Sequence, residues 1–169
     1  MADEKSTNGE GARAPQAAPG GPATPEGARP QPSMQLVTQY VKDLSFENPG
    51  LGQIVPNPRI DLAVDLQARR VNDQGQYEVL LKMRANATNE DKPIFIVELA
   101  YGGMFVLKNV PDESLQPILL IEAPRLLFPF ARRILADVVR DGGLPPLMIE
   151  PIDFVGLYRK KMGEPSGNA

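Results

Sequence analysis

The chain has 169 residues, a length that suits one globular domain, and 42% of them are hydrophobic. It contains no histidine and no cysteine, which excludes an imidazole base, a thiolate nucleophile, a disulfide and the usual zinc sites. With 18 basic and 21 acidic residues the net charge is -3, so no surplus of cations favours nucleic acid or an anionic membrane surface as a partner.

Residues 1–33 have the composition of a disordered tail. Eighteen of these 33 residues are glycine, proline or alanine, and none is valine, isoleucine, leucine or aromatic. Such a segment cannot bury enough apolar surface to offset the entropy of ordering its backbone. Asp3 and Glu4 stand where a signal peptide needs cations, so we expect no signal peptide. We expect one domain over residues 34–162 and a second disordered tail over residues 163–169.

Four segments alternate apolar and polar residues, which predicts β-strands. They begin at Gln35, Ile60, Tyr77 and Ile94. In the first strand, the even-numbered apolar residues are expected on one face: Leu36, Tyr40, Leu44 and Phe46. Turn residues lie between the later strands, at residues 72–75 and 89–92, and predict antiparallel hairpins.

Two glycine-containing segments interrupt this pattern. Residues 48–58 are rich in proline and glycine, yet they carry Leu51, Ile54 and Val55, so we predict an irregular crossover loop that packs on another element. Gly102 and Gly103 follow the fourth strand and are interpreted as turn glycines, because no strand leads through them into a phosphate-binding helix.

The last third of the chain has helical periodicity. We predict a helix with Asp112 as its N-cap, an interruption at Pro124, and a long amphipathic helix that ends at Gly142. A short helix is predicted over residues 154–161, after a proline-rich stretch unsuited to a central strand. The longest apolar stretch contains Glu122 and three prolines, so no membrane-spanning helix is expected.

One sheet and one long helix leave part of the apolar surface of the predicted domain without a partner. The residues expected to need one are Leu80, Ile94, Ile96, Phe128 and the three apolar residues of the crossover loop. Either self-association or a hydrophobic ligand would cover them, and the pattern does not choose between these alternatives.

The sequence offers only weak evidence for catalytic carboxylates. Asp61 and Asp65 are expected on one face of the second strand, a spacing that would suit a metal or acid–base pair. No third ligand lies nearby in the sequence, and solvated surface carboxylates are far commoner than catalytic ones. We therefore interpret both as surface charges.

Four motifs of this chain resemble the SecB family of bacterial export chaperones, in their order as well as their spacing. They are YVKDLSFENP, YGGMF, LFPFARRILADVVRDGGLPPL and EPIDFVGLY. The resemblance covers residue 34 to about residue 162. It implies an α+β fold in which a four-stranded antiparallel sheet, with a crossover loop between strands 1 and 2, packs with a long amphipathic helix. It also implies assembly as a dimer of dimers, hence a homotetramer.

The function implied by this resemblance is ATP-independent holding of unfolded precursor proteins in the cytoplasm and their delivery to the SecA motor. No enzymatic activity, metal or cofactor is implied. Two other function classes stay open. One is a small enzyme that uses the open sheet face, and the other is a structural oligomer whose apolar surface is entirely buried between its own subunits.

The resemblance also implies three groups of site residues. The group for SecA binding is Asp43, Glu47, Ile96 and Glu98. The group for client binding is Leu51, Ile54, Val55, Phe128 and Phe130. The group for oligomer assembly is Val97, Leu99 and Tyr101. From strand alternation alone, we expect the first group on one exposed sheet face, where three acids surround an apolar residue. Such a surface suits a basic peptide, and the resemblance implies the zinc-bearing peptide of SecA as that partner.

Overall fold

A computed structural model describes residues 30–50 and 54–163, and it contains one four-stranded antiparallel sheet covered on one side by helices. The strands are β1 (Ser33–Glu47), β2 (Arg59–Arg70), β3 (Gln76–Asn89) and β4 (Lys92–Lys108). Their order in the sheet is β1-β4-β3-β2, so β1 and β2 are edge strands. The predicted α+β architecture is thereby confirmed. Residues 1–29, Leu51 and residues 164–169, which include most of both predicted tails, lie outside the described residues.

Both predicted hairpin turns are present. The side-chain oxygen of Asn72 accepts the backbone N–H of Gln74 at 2.9 Å, and Gly75 has a φ of 75°. At the second turn Glu90 and Asp91 have φ values of 48° and 63°. Two consecutive residues in this left-handed region match the twist of the flanking strands, which is why such turns join antiparallel neighbours.

The face assignment in β1 differs from the prediction at Tyr40. β1 has irregularities between Leu36 and Thr38 and between Val41 and Asp43. Each inserts one extra residue, and because side chains alternate with a period of two, each reverses the faces of the residues that follow. Tyr40 consequently lies on the side of the sheet without helices, called here the open side. Leu36 and Phe46 lie on the other side, called here the helical side.

Gly102 and Gly103 lie inside a strand, so their interpretation as turn glycines is wrong. β4 continues through them to Lys108. Their lack of side chains admits close neighbours on both sides: the Tyr40 ring would lie 2.8 Å from a Cβ at Gly102, and the Leu127 side chain would lie 2.8 Å from one at Gly103. A residue without Cβ is required wherever other groups approach a strand this closely.

The helices are α1 (Asp112–Pro117), α2 (Ala123–Asp141) and α3 (Phe154–Lys161), and α3 has the bounds that were predicted. A π-helical turn (Ile118–Glu122) joins α1 to α2, and α2 begins at Ala123 with Pro124 in its first turn, where the sequence predicted that the helix restarts. Proline cannot donate the regular helical hydrogen bond, and irregular helix geometry beside it is the expected consequence. The N-cap is Pro111, and Asp112 is the first helical residue instead.

The core lies between α2 and the helical side of β3 and β4. From α2 it receives residues at helical spacing: Leu127, Ala131, Leu135 and Val139. From the two strands it receives Val79, Leu81, Met83, Val97, Leu99 and Phe105. Leu80, Ile94 and Phe128 are 8%, 6% and 8% exposed, so the expectation that they need an external partner is wrong. Among the described helices, none is long and apolar enough to cross a membrane.

Candidate functional site

The four residues expected to bind SecA lie on one side of two adjacent strands. β1 and β4 pair so that Asp43 is opposite Ala100, Ser45 is opposite Glu98, and Glu47 is opposite Ile96. Directly opposed residues of an antiparallel pair share a face. Asp43, Glu47, Ile96 and Glu98 therefore form one surface on the open side, which we call the acidic patch.

Arg84 is a neighbour of this patch that the sequence analysis missed. β3 pairs with β4 so that Arg84 is opposite Glu98, and the Arg84 Nε atom lies 3.2 Å from Glu98 Oε1. Both side chains are exposed, at 57% and 44%. The acidic patch thus includes an internal cation at one of its three carboxylates.

A shallow depression adjoins the same ion pair. It has a volume of about 280 Å³, and Ala63 and Ala100 are among the residues that line it. The charged residues around it are Asp43, Asp65, Lys82, Arg84 and Glu98. This part of the open side therefore offers space for a partner side chain between charges of both signs.

A buried carboxylate holds the other end of the open side together. Glu78 on β3 is 3% exposed and accepts hydrogen bonds from Tyr40 and Arg69, and from Lys42 at 3.0 Å. These partners come from both edge strands, and the Tyr40 ring crosses β4 above Gly102. The Tyr40 hydroxyl, followed by Arg69 and Lys42, lowers the pKa of Glu78 to about 2. Burial, reinforced by the Glu78 carboxylate, raises the pKa of Tyr40 to about 12.

We expect Glu78→Gln to lower the free energy of unfolding at pH 7 by about 2–3 kcal/mol, because charge-assisted hydrogen bonds in a buried site are lost. The Glu78 pKa falls from 4.5 to about 2 on folding, so its stabilisation is complete above 4.5 and is lost as the pH falls towards 2. Lowering the pH from about 5 to about 3 should therefore reduce the free energy of unfolding of the wild type more than that of the variant, as measured by urea unfolding. Equal pH slopes would contradict this assignment. Glu98→Gln, at an exposed pair, serves as the control.

An apolar groove lies on the helical side, where the crossover loop meets the chain that follows α2. The groove has a volume of about 170 Å³. Its lining residues are Val55, Pro58, Ile60, Ile94, Phe95 and residues 144–148. Met148, which lines the groove, is 67% exposed, and Ile54, which precedes Val55 in the crossover loop, is 71% exposed. Exposed aliphatic side chains around a concave apolar surface are typical of a binding site for apolar groups.

The residues expected to bind clients do not all lie in this groove. Val55 lines it, and Ile54 precedes Val55 in the same loop. Leu51 lies outside the described residues. Phe128 is buried and packs against Phe154 with 6.0 Å between the ring centroids, whereas Phe130 is 42% exposed on α2.

The residues expected at the oligomer interface are buried within this one chain. Val97, Leu99 and Tyr101 are 0%, 2% and 6% exposed on the helical side of β4. Burial raises the pKa of the Tyr101 hydroxyl. On edge strand β1, the exposed residues Leu44 and Val41 lie directly opposite Leu99 and Tyr101, and exposed Val37 lies further along the same strand. The sequence analysis did not assign these three residues to an interface, because alternation alone does not show which strand is an edge.

The carboxylates of β2 form pairs with cations. Asp61 lies 3.4 Å from Arg59, and Asp65 lies 3.5 Å from the Lys161 ammonium group. No group of three potential metal ligands occurs within residues 30–50 and 54–163. Asp61 and Asp65 are thus surface ion-pair partners in this part of the chain, as the sequence analysis expected.

Comparison with known proteins gives consistent relatives. The profile of the family described as "Preprotein translocase subunit SecB" matches residues 27–164. "Protein-export protein SecB" of Parvibaculum lavamentivorans is 48% identical over 165 residues, covering 95% of this chain and 92% of the relative. The protein of the same name from Hyphomonas neptunium is 52% identical over 131 residues, covering 77% and 79%.

A solved structure shares the fold at low sequence identity. It is a SecB-like chaperone of Mycobacterium tuberculosis in complex with a peptide from an antitoxin. The TM-score is 0.62 at 15% identity, with 71% of this chain and 91% of that chain covered. The sheet and helical layer described above are therefore shared between the two proteins.

Proposed function

The chain belongs to the SecB family, and from this premise we propose that it is an ATP-independent export chaperone that holds unfolded precursor proteins in the cytoplasm and delivers them to SecA. The observation that carries the proposal is the family match over residues 27–164 together with the exposed apolar groove beside the crossover loop. Holding a client requires neither a catalytic group nor a cofactor, and we assign neither to this chain.

Clients are proposed to bind as extended chains through apolar contacts. The groove near Val55 is small and is lined by aliphatic and proline side chains, so it suits single apolar side chains of a segment that passes over it. Exposed Ile54 and Met148 extend the apolar surface beyond the groove. Such contacts read hydrophobicity rather than a sequence motif, which suits a promiscuous chaperone. Leu51 and Phe130 stay predicted contacts, and buried Phe128 would act by positioning α2.

Aggregation of an unrelated unfolded protein tests this proposal. We expect the wild type to suppress aggregation without nucleotide. Replacing Ile54, Val55 and Met148 together by serine should weaken client capture about tenfold, because burial of even one aliphatic side chain contributes a comparable free energy. Val71→Ser is the matched control, since Val71 is 43% exposed in the β2–β3 turn.

Two results would contradict the client surface. If the triple variant suppresses aggregation as fully as the wild type, the groove is not part of the client-binding site. No suppression by the wild type would instead favour a structural oligomer. The mass of each variant, measured by light scattering, separates a lost binding surface from a damaged assembly.

Assembly as a dimer of dimers is proposed to use two apolar surfaces outside the core. Edge strand β1 offers unpaired backbone groups along Ser33–Glu47 and exposed Val37, Val41 and Leu44. Helix α2 offers Leu126, which is 45% exposed. Val97, Leu99 and Tyr101 are proposed to influence assembly indirectly, because the elements that pack on them carry these surfaces. A charge at Leu99 would enter the core of the chain itself, so the assembly is better tested on β1.

The acidic patch is proposed to bind a basic segment of SecA. Asp43, Glu47 and Glu98 supply negative charge around the partly exposed Ile96, and their shared face supports this assignment. Electrostatic attraction between exposed groups is screened by salt, so affinity should fall as ionic strength rises.

A further inference from the structure

We propose that Arg84 is an internal competitor for the acidic patch, a residue that lowers the affinity for a basic partner by occupying Glu98 in the unbound protein. This inference rests on the proposed SecA docking. The Arg84 Nε atom is 3.2 Å from Glu98 Oε1 on the open side, where a basic group of the partner would approach. One carboxylate is thus the target of two cations, of which one belongs to the chain itself.

Because the Arg84–Glu98 pair is exposed, a cation of the partner can displace Arg84 from the carboxylate. Arg84 is 57% exposed and Glu98 is 44% exposed, so the guanidinium can leave the carboxylate without becoming trapped in an apolar environment. Exposed ion pairs contribute little free energy, and the cation therefore tunes binding instead of abolishing it. The arginine also stays close to the bound partner and repels its positive charges.

The chain contains a matched cation that lacks this contact. Lys82 lies two residues earlier on β3, on the same side of the sheet, and is opposite Ala100 rather than an acid of the patch. Both residues contribute one positive charge to the border of the depression beside Ala63 and Ala100. Removing either cation changes the net charge equally, whereas removing Arg84 alone frees Glu98.

Calorimetry with the C-terminal zinc-binding peptide of SecA compares Arg84→Gln with Lys82→Gln in the full chain. We expect Arg84→Gln to bind the peptide about two- to fivefold more tightly than the wild type, in keeping with the small free energy of an exposed pair. Lys82→Gln should change the affinity by less than half as much on a logarithmic scale. The effect of Arg84→Gln should shrink to that of Lys82→Gln when Glu98 is also glutamine, because there is then no carboxylate to free.

The possible outcomes separate this inference from the docking proposal. If Glu98→Gln weakens binding but Arg84→Gln and Lys82→Gln act alike, only net charge matters, and the inference fails while docking stands. If Arg84→Gln weakens binding, the arginine contacts the partner and the inference is wrong. If Glu98→Gln has no effect, both the docking face and the competitor are wrong. Aggregation suppression by each variant should equal that of the wild type, which checks that the fold is intact.

Discussion

Glu98→Lys is expected to weaken binding of the C-terminal zinc-binding peptide of SecA by tenfold or more while leaving client holding unchanged. The substitution removes one of three carboxylates from the acidic patch. It also places a second cation beside Arg84, whose Nε atom lies 3.2 Å from the Glu98 carboxylate in the wild type. A basic peptide then meets repulsion where it met attraction, and such a reversal commonly changes affinity by this amount or more. Calorimetry at two salt concentrations measures both the loss and its electrostatic origin.

Glu150→Lys is the matched control for this reversal. Glu150 is exposed in the segment between α2 and α3, next to Ile149 of the core, and its substitution changes the net charge equally. An equal loss of affinity in both variants would mean that the peptide responds to total charge, and the patch would lose its assignment. Joint loss of peptide binding and aggregation suppression in Glu98→Lys would show damage to the fold.

The sequence predicted the sheet and the helices well because these depend on local patterns. Alternation, turn residues and helical periodicity each act over a few neighbouring residues, and α3 was predicted with its observed bounds. The errors at Tyr40 and at Gly102 have another origin. Both depend on contact between β1 and β4, where the Tyr40 ring lies against Gly102. A contact between residues so far apart in sequence leaves no local signal.

The candidate site was predictable only in part, for a related reason. The pairing at the β3–β4 turn begins with Asn89 opposite Lys92 and shifts by one residue between Ala87 and Thr88. Without that shift Arg84 would be opposite Val97 and would lie on the helical side. The acidic patch was expected from alternation within β1 and β4, whereas the pairing of Arg84 with Glu98 depends on a bulge that alternation does not indicate.

The assembly should respond most strongly to a charge on β1, and we expect Val41→Arg to reduce the particle mass from a tetramer to dimers or monomers. Val41 is 46% exposed on an edge strand, and the proposed interface would bury it. A charge enclosed in an apolar contact without a partner costs several kcal/mol, enough to dissociate an assembly at micromolar concentration. Light scattering on the purified chain measures this directly.

Val71→Arg places the same charge on an apolar residue of similar exposure, 43%, in the β2–β3 turn. We expect it to keep the mass of the wild type, because the turn lies beside the other edge strand. Circular dichroism of Val41→Arg should retain the signal of a folded sheet and helices, since Val41 is 46% exposed on an edge strand and is not among the buried core residues. A wild type that is monomeric at micromolar concentration would refute the tetramer itself. A tetrameric Val41→Arg would leave the tetramer standing and would move its interface away from β1, to the surface of α2 around Leu126.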